Sequence, residues 1–370
     1  MSRSHPSRTR FSLAGAAALC AVVLAATGCS SDPDSGAVGS ATDTRAPGAP
    51  AAAASSGGDG LQSAYQNAVS NVLPSVVQIT TSSDLGSGVV FDDKGDIVTN
   101  AHVVGKATTF RVSLATGGKT LDATLVSAFP ANDLAVIRLA SPPDDLKPAV
   151  FADSGEVAVG QIVLAMGNPL GLSSSVTQGI VSATGRTVSE SQGDSGDGTG
   201  ATIPDMVQTS AAINPGNSGG ALVNLDNQVI GIPTLAATDP QLGSGAAPGI
   251  GFAIPSSTVK RIAGQIIDNG KVTDSGRAAL GVTVRGVVDR DFQPAGAAIV
   301  SVTRNGAAAK AGLRPGDVIT KLGNARITTV QSLTDALAAL KPGRKVRVEY
   351  GRDGTGKATE VTLGSLQGAA

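Results

Sequence analysis

Residues 214–223 read Asn-Pro-Gly-Asn-Ser-Gly-Gly-Ala-Leu-Val, and Ser218 lies between glycines where an apolar run begins that predicts a β-strand. Glycines on both sides allow a tight turn and let a substrate carbonyl approach the serine hydroxyl closely. Such a turn would direct backbone N–H groups, those of Gly216 and Ser218, into one small space where an oxygen can become negative. Ser218 is therefore a candidate nucleophile, and Gly216, Asn217 and Ser218 form a candidate oxyanion hole. From these ten residues alone, a glycine-rich hairpin turn is an equally good interpretation.

The composition limits the classes of protein that the chain can represent. It has 370 residues, enough for two or three domains, and its 28 Lys and Arg balance 29 Asp and Glu to a net charge of −1. The sequence has no basic stripe, so we do not expect nucleic acid as a partner, and it has no acidic tail that would argue for a basic partner. Trp is absent and aromatic residues make up 2% of the chain. Any core must therefore be built from Val, Ile, Leu and Ala.

Residues 1–28 have the features of a secretory signal. Arg3, Arg8 and Arg10 precede an apolar run that ends in small residues. The ending Ala-Thr-Gly before Cys29 resembles a bacterial lipobox, in which the cysteine is lipidated and becomes the new N-terminus. The sequence thus predicts an extracytoplasmic lipoprotein anchored to the outer face of the cell membrane. An uncleaved membrane anchor and ordinary secretion are the alternatives, although the run is slightly short for a spanning helix.

Processing at this site would leave a mature chain with one histidine, His102, and no free thiol. A catalytic cysteine, a disulfide framework and a multi-histidine metal site are then excluded, and we expect no metal and no organic cofactor. Residues 29–60 consist mainly of Ser, Ala, Gly, Pro and Asp, with almost nothing large and apolar. Such a segment cannot bury a core, so it is predicted to be a disordered tether.

Short β-branched runs broken by Gly, Asp and Pro fill residues 61–270, after a weak helical pattern at Leu61–Val72. Regularly spaced short strands with turn signals indicate sandwiches or barrels, and two six-stranded barrels are the most economical arrangement. A helix is expected over Ser256–Asp268, where apolar residues share one face. The strands of the first set are expected near Ser75–Thr80, Gly88–Phe91, Asp96–Asn100, Thr109–Leu114, Leu121–Ser127 and Leu134–Leu139. Those of the second set are expected near Ile162–Ala165, Val176–Ser182, Met206–Thr209, Gly220–Asn224, Gln228–Ile232 and Ile250–Ile254.

A polar hinge at residues 271–277 precedes a smaller unit, residues 278–370, in which short helices and strands are mixed. This mixture predicts a separate α+β domain. Its strands are expected near Ala298–Val302, Val318–Leu322 and Lys345–Tyr350, and its helices at Ala307–Ala311 and Gln331–Leu340.

Three residues far apart along the chain could together perform nucleophilic catalysis. His102 ends one predicted strand and Asp133 begins another, both in the first set, whereas Ser218 belongs to the second. In such an arrangement the imidazole takes the serine proton and later gives it to the leaving amine, while the carboxylate holds the imidazole tautomer. His102 and Asp133 are each, taken alone, better explained as a core histidine and a turn aspartate. All three in this order predict a catalytic triad.

The segments 99–104, 132–137 and 214–222 resemble the three catalytic motifs of the HtrA (Deg) serine proteases, a similarity that extends from about residue 61 to the C-terminus. The resemblance implies a mainly β chymotrypsin-like double barrel and an ATP-independent endopeptidase for misfolded or exposed extracytoplasmic proteins. It also suggests a homotrimer formed through the N-terminal part of the protease domain. Ser210 stands where the family usually has Asp, which leaves open how the neighbouring loop is shaped or regulated. The alternative is a peptide-binding chaperone or stress sensor with low or switched proteolytic activity.

The primary substrate pocket is expected between two segments of the second strand set. Ala212, Ile213 and Asn214 come from the segment before Ser218, and Ile250 and Phe252 come from a strand. Neither segment offers a carboxylate. The pocket should therefore favour small aliphatic side chains such as Val or Ala over Lys or Arg.

The C-terminal unit resembles a PDZ domain. Residues 279–282, Ala-Leu-Gly-Val, match its carboxylate-binding loop, and residues 306–319 match its most recognisable segment. The resemblance implies that a C-terminal peptide pairs with a sheet edge while N–H groups of Leu280, Gly281 and Val282 hold its carboxylate. A PDZ domain that only packs against the protease is the alternative.

Overall fold

The computed structural model describes residues 56–82, 84–168, 175–189, 201–214, 216–238 and 246–368. The predicted signal over residues 1–28, the predicted lipidation site Cys29 and most of the predicted tether lie outside the described residues. Helix α1 spans Ser56–Val72, so it begins within the segment predicted as a tether and includes the helix expected from Leu61. Within the described part of the chain, none of the helices has the length and hydropathy that a membrane crossing requires.

The first six strands form a closed barrel in the order β1-β2-β3-β6-β5-β4. Val and Ile fill its interior, as expected for a chain with few aromatic residues; Ile79, Ile97 and Ile137 are fully buried. A short helix, α2 (Ala101–Val104), follows β3. The strands are β1 (Val76–Thr80), β2 (Leu85–Val90), β3 (Asp96–Thr99), β4 (Thr109–Leu114), β5 (Leu121–Phe129) and β6 (Leu134–Leu139).

A second closed barrel has the order β10-β11-β12-β9-β8-β7. Its β8, β9, β11 and β12 are longer than the sequence predicted. Register shifts along β8–β9 and β11–β12 let the paired strands continue past polar residues and glycines. The strands are β7 (Ile162–Gly167), β8 (Ser175–Ser189), β9 (Thr202–Thr209), β10 (Ala221–Val223), β11 (Val229–Thr238) and β12 (Ala246–Pro255).

Besides the cluster inside each barrel, one buried apolar cluster contains residues of both barrels. Val98 and Val136 of the first barrel belong to the same buried cluster as Met166 and Ile232 of the second. Helix α3 (Ser256–Asn269) adds its apolar face to this cluster and ends at Gly270, whose left-handed backbone is typical of a helix C-cap. The expected mainly β double barrel is therefore confirmed, and residues at the facing ends of the barrels are held by a continuous core.

The C-terminal unit is an α+β domain around its own buried cluster. Its main sheet has the order β14-β15-β16-β18-β19, so β14 lies at an edge. The sequence missed β14, an edge strand with mostly exposed positions, and β19, a polar strand whose pairing with β18 decides its conformation. The elements are β13 (Ala278–Ala279), β14 (Val282–Val288), β15 (Pro294–Val302), α4 (Ala307–Lys310), β16 (Val318–Leu322), β17 (Ala325–Arg326), α5 (Val330–Ala338), β18 (Lys345–Arg352), β19 (Thr355–Thr362) and β20 (Gly364–Ser365).

The segment between the domains, predicted as a polar hinge, is tied to the end of the chain. Ser275 donates its N–H (3.3 Å) and its hydroxyl (2.7 Å) to the carbonyl of Leu366. The N–H of Gly368 donates to the carbonyl of Val272 over 2.8 Å. The connection is thus a hydrogen-bonded element of the described structure.

Candidate active site

His102, which is partly exposed, pairs with the buried Asp133 in the first barrel. Asn100 has an extended backbone at the N-cap of α2, so the chain turns directly from β3 into the helix that carries His102. Nδ1 of His102 lies 2.8 Å from Oδ2 of Asp133, and the His102 N–H donates to Oδ1 over 2.9 Å. A carboxylate only accepts hydrogen bonds, so Nδ1 carries the proton and Nε2 is the basic nitrogen of the neutral ring.

The backbone around Asp133 holds its carboxylate in place. A 3₁₀ turn over Pro130–Asn132 ends at Asp133, which has the left-handed angles φ 49° and ψ 43°. Its N–H donates to the carbonyl of Pro130 over 2.9 Å, and its carbonyl accepts from Nδ2 of Asn100 over 2.9 Å. Asp133 is fully buried. A buried charge of this kind is stable only when donors surround it, which both bonds from His102 provide.

Thr234, a residue that the sequence analysis did not single out, connects this pair to Ser218. Its hydroxyl donates a short hydrogen bond to Oδ2 of Asp133. Its carbonyl accepts from the hydroxyl of Ser218 over 3.2 Å. The structure therefore brings all three predicted triad residues to one place, where the barrels meet. Nothing in the local sequence marks Thr234, because its role follows from pairing across 101 residues.

Ser218 lies on a tight turn, which we call the serine turn and define as residues 214 and 216–220. Gly216 and Gly219 have φ of 102° and 81°, values that favour glycine. The N–H of Asn217 donates to the carbonyl of Asn214 over 3.0 Å. Because the N–H of Asn217 already has this hydrogen bond, we remove it from the predicted donors of the oxyanion hole. The N–H groups of Gly216 and Ser218 are the predicted donors that are left.

The two predicted pocket segments are in contact. A Cβ atom added to Gly251, between Ile250 and Phe252, would lie 2.4 Å from Cγ1 of Ile213. Ile213 is buried, Ile250 is 38% exposed, and Asn214 and Ala212 are exposed. The structure thus brings the two predicted pocket segments into contact, and Nδ2 of Asn217 in the serine turn donates to the carbonyl of Ala212 in the first of them.

Ser210, which stands where the family usually has Asp, lies at the start of the segment that leads to Ser218, and it contacts β8. Its hydroxyl accepts from the N–H of Ile180 over 3.0 Å, and its own N–H donates to the Ile180 carbonyl over 3.0 Å. Ser210 therefore joins the segment before Ser218 to β8 by two hydrogen bonds, and unlike the usual Asp it brings no negative charge to this position.

The predicted carboxylate-binding loop of the C-terminal unit leads into the edge strand β14. Leu280 is buried and Gly281 has φ 71°. The carbonyl of Leu280 accepts from the N–H of Ala308 over 2.8 Å, and that of Gly281 accepts from Thr303 over 2.9 Å. A cleft of about 740 Å³ is lined by this loop, β14 and α5. Leu280, Gly281 and Val282 all line the cleft.

Helix α5 also contacts the protease domain. Nε2 of Gln331 donates to the hydroxyls of Thr202 (2.7 Å) and Ser189 (3.1 Å). Nζ of Lys341, just after the helix, lies 2.9 Å from Oδ2 of Asp205. One helix thus borders the cleft of the small domain and hydrogen-bonds to β8 and β9 of the second barrel.

Comparisons with known proteins agree with this architecture. Residues 86–232 match the family model described as a trypsin-like peptidase domain, and residues 278–363 match the PDZ domain model. The serine protease Do-like HtrA of Lactobacillus helveticus is 40% identical over 298 residues, which cover 75% of this chain and 68% of that protein. The chain belongs to the HtrA family of serine proteases.

Other HtrA relatives give the same result. The serine protease PepD of Mycobacterium tuberculosis is 39% identical over 82% of this chain and 66% of its own length. The periplasmic serine endoprotease DegP of Escherichia coli is 40% identical over a segment that covers 73% of this chain and 55% of DegP. The HtrA-type protease AlgW with a decapeptide has a TM-score of 0.55 and 31% identity, covering 82% of this chain and 98% of that structure. The chain thus spans between half and two thirds of the first curated relatives that it matches.

Proposed function

We propose that this HtrA family member is a serine endopeptidase that cleaves misfolded or exposed extracytoplasmic proteins through an acyl-enzyme. The observation that carries the proposal is the hydrogen-bonded link from Ser218 through Thr234 to Asp133 and His102. These hydrogen bonds bring together three residues that are unremarkable separately, which supports the roles that a nucleophile, a base and an orienting carboxylate would have.

Each residue has a defined task in the proposed reaction. Nε2 of His102 takes the proton from the Ser218 hydroxyl as the oxygen attacks the scissile carbonyl, and the imidazolium then gives that proton to the leaving amine. Asp133 holds the ring by two hydrogen bonds and stabilises its positive charge. The N–H groups of Gly216 and Ser218 stabilise the negative oxygen of the tetrahedral intermediate. Water then attacks the acyl-enzyme carbonyl while Nε2 of His102 takes its proton. The bond from the carbonyl carbon to the Ser218 oxygen breaks, the acid product leaves, and the imidazolium returns the proton to Ser218.

The C-terminal domain is proposed to bind C-terminal peptides of substrates or regulators. β14 is an edge strand, so its open side can pair with an extended peptide lying between it and α5. Leu280, Gly281 and Val282 would present N–H groups to the peptide carboxylate.

An extracytoplasmic location is proposed from the signal-like residues 1–28 and from relatives that are named as periplasmic. Attachment to the outer face of the membrane would use a lipid on Cys29. A homotrimer is proposed from the family resemblance alone. Intact-mass measurement of the protein purified from membranes tests the lipid, and light scattering tests the trimer.

A fluorophosphonate probe, which reacts with an activated serine, tests the proposed activity. The full chain is labelled alone and with C-terminal peptides, beside Ser218→Ala. Labelling of the unmodified chain alone indicates a constitutive protease, and labelling only with peptide indicates a switched one. Absence of labelling under both conditions would contradict the proposal and favour the peptide-binding chaperone. Labelling that persists in Ser218→Ala would assign the nucleophile to another residue.

A further inference from the structure

Ser87, in β2 of the first barrel, contacts the serine turn of the second barrel at several points. The residue is fully buried. Its hydroxyl donates to the carbonyl of Gly216 over 2.5 Å and accepts from the N–H of Asn168 over 2.8 Å. One side chain thus links the serine turn with the residue that follows β7.

The backbone of Ser87 contacts the same turn. Its N–H donates to the carbonyl of Ser218 over 3.0 Å, and its carbonyl accepts from the hydroxyl of Thr99 over 2.7 Å. Thr99 ends β3, three residues before His102. Ser87 therefore joins the strand that leads to the candidate base and the turn that carries the candidate nucleophile.

The turn is packed directly against this residue. A Cβ atom added to Gly219 would lie 2.2 Å from the carbonyl oxygen of Ser87 and 2.4 Å from Oγ1 of Thr99. Contacts this short exclude any side chain at residue 219. The distance between the turn and β2 is thus fixed by van der Waals contact as well as by hydrogen bonds.

We propose that Ser87 is a positioning residue that sets the orientation of the oxyanion donors in the serine turn. The proposal rests on the proposed protease function. Peptide groups are planar, so a hydrogen bond that fixes the carbonyl of Gly216 also fixes the direction of the next N–H, which donates to Asn214. The bond to the Ser218 carbonyl fixes the peptide group on the other side of the nucleophile. The N–H of Ser218 lies between these two fixed peptide groups, and the N–H of Gly216 belongs to the residue whose carbonyl is fixed.

Removal of the hydroxyl has a predictable effect. The carbonyl of Gly216 and the N–H of Asn168 would each lose a buried partner, and a buried polar group without a partner is unfavourable. The turn would rotate to recover a hydrogen bond, and its N–H groups would move from the positions that the negative oxygen needs. Displacements of about 1 Å can lower rates by about 10²-fold. Substrate binding in the pocket uses other residues, so kcat should fall while KM changes little.

The test compares Ser87→Ala, Ser87→Thr and a matched control in the full chain. Ser256→Ala is the control, because Ser256 is also fully buried in the protease domain and its hydroxyl donates to a backbone carbonyl, that of Ala152, over 3.0 Å. Peptide hydrolysis gives kcat and KM, and amide hydrogen exchange reports on the turn independently of catalysis.

We expect Ser87→Ala to lower kcat by about 10²-fold with KM within threefold, and to speed exchange of the turn amides at least tenfold. Ser87→Thr, which keeps the hydroxyl, should recover at least tenfold in kcat over Ser87→Ala, and Ser256→Ala should leave both measurements near those of the unmodified chain. If Ser87→Thr does not fold, Ser87→Cys, with a weaker donor, should lie between serine and alanine.

Two results would overturn the proposal. One is a Ser87→Ala variant whose kcat stays within threefold of the unmodified chain. The other is unchanged exchange at the turn. If the unmodified chain hydrolyses no peptide, the proposed protease function fails, and exchange still decides whether Ser87 orders the turn.

Discussion

The guanidinium of Arg277 donates a hydrogen bond to the carbonyl of Ala131, although Arg277 belongs to the interdomain connection and Ala131 to the turn before Asp133. A second bond, 2.6 Å long, reaches the carbonyl of Thr202 at the start of β9. Burial lowers the pKa of Arg277 to about 10. Because this value lies below the ordinary pKa of an arginine, the charge costs stability at pH values below about 10, and the cost declines only as the pH rises above about 10. The residue is therefore charged at neutral pH, and its bonds to the two carbonyls offset only part of the cost of burial.

Replacing Arg277 by a residue that cannot make both of these hydrogen bonds should lower the rate of catalysis. Arg277→Lys keeps the charge, but one ammonium group cannot reach both Ala131 and Thr202 as the planar guanidinium does. We expect kcat to fall about tenfold, since the turn that positions Asp133 loses its support. Peptide hydrolysis measures the effect, and Arg344→Lys at an exposed position serves as the control. A kcat for Arg277→Lys within twofold of that of the unmodified chain would show that the hydrogen bonds of Arg277 do not help to position Asp133.

Gly219→Ala should inactivate the protease. The new methyl group would lie 2.2 Å from the carbonyl oxygen of Ser87, and φ at this residue is 81°. Gly117→Ala is the matched control, because Gly117 has φ 85° and no atom within 4 Å of an added Cβ. Both variants share the backbone strain, and only Gly219→Ala adds a collision. We expect a loss of at least about 10²-fold in fluorophosphonate labelling rate for Gly219→Ala alone. Equal losses in both variants would attribute the effect to strain.

Cleavage should occur mainly after small aliphatic residues. Mass spectrometry of fragments from an unfolded protein should show Val or Ala before most cuts, because the pocket segments hold no carboxylate. Ile213→Ala enlarges the pocket and should raise the ratio of cuts after Leu to cuts after Val about tenfold, the size expected for one or two methylene groups. A majority of cuts after Lys or Arg would contradict the proposed pocket.

The peptide cleft should prefer acidic peptides. The charged residues that line it are Arg277, Arg304 and Lys310, all cationic, and Arg304 and Lys310 are exposed. Fluorescence anisotropy should show tighter binding for a peptide with Asp or Glu before its C-terminal residue than for its Lys counterpart. Exposed ion pairs contribute about 0.2–1 kcal/mol each, so the preference should be roughly twofold to tenfold and should weaken in high salt.

Charge reversal provides the control for this preference. Arg304→Glu with Lys310→Glu should reverse the order of the two peptides. Arg326→Glu with Lys357→Glu makes the same change in net charge at exposed positions outside the cleft lining, and should leave the order intact. Reversal by both pairs would assign the effect to the overall charge of the domain.

Acid should destabilise the C-terminal domain through Asp317. Burial acts to raise the pKa of Asp317, but hydrogen bonds from Arg352 (2.6 and 2.7 Å) and from the N–H of Arg314 outweigh it, and the pKa lies below 3.8. A lowered carboxyl pKa contributes stability above 3.8 that is lost as the pH falls through the folded value. Asp317→Asn should therefore be less stable at pH 7 and should lose less stability on acidification.

Urea unfolding at pH 7 and pH 3 measures this effect. The chain has two tyrosines and no tryptophan, so Tyr65→Phe leaves Tyr350, in the core of the C-terminal domain, as the reporter. Asp353→Asn, at an exposed neighbouring position, is the control. If Asp317→Asn and the unmodified chain lose the same free energy of unfolding between pH 7 and pH 3, then Asp317 does not cause the loss of stability in acid.

Much of the architecture followed from local patterns. The twelve barrel strands, helix α3 and the order of His102, Asp133 and Ser218 depend on periodicity and on motifs a few residues long, which a sequence displays directly. The catalytic roles of these three residues remain predictions. The structure added Thr234 and Ser87, whose hydrogen bonds to Asp133 and Gly216 join residues 101 and 129 positions apart. The sequence around each residue is that of an ordinary strand, so no local pattern indicates that Thr234 or Ser87 contacts the candidate site.

The sequence by itself determined the double barrel, the PDZ-like unit and the candidate triad, since glycine-flanked turns and apolar periodicity constrain the backbone near each residue. Only the tertiary structure decided which N–H groups of the serine turn are already bonded, and that Arg277 supports the turn before Asp133. Those contacts form when both closed barrels and the second domain are packed together. Their partners are therefore set by strand order and core packing, which no short stretch of sequence contains.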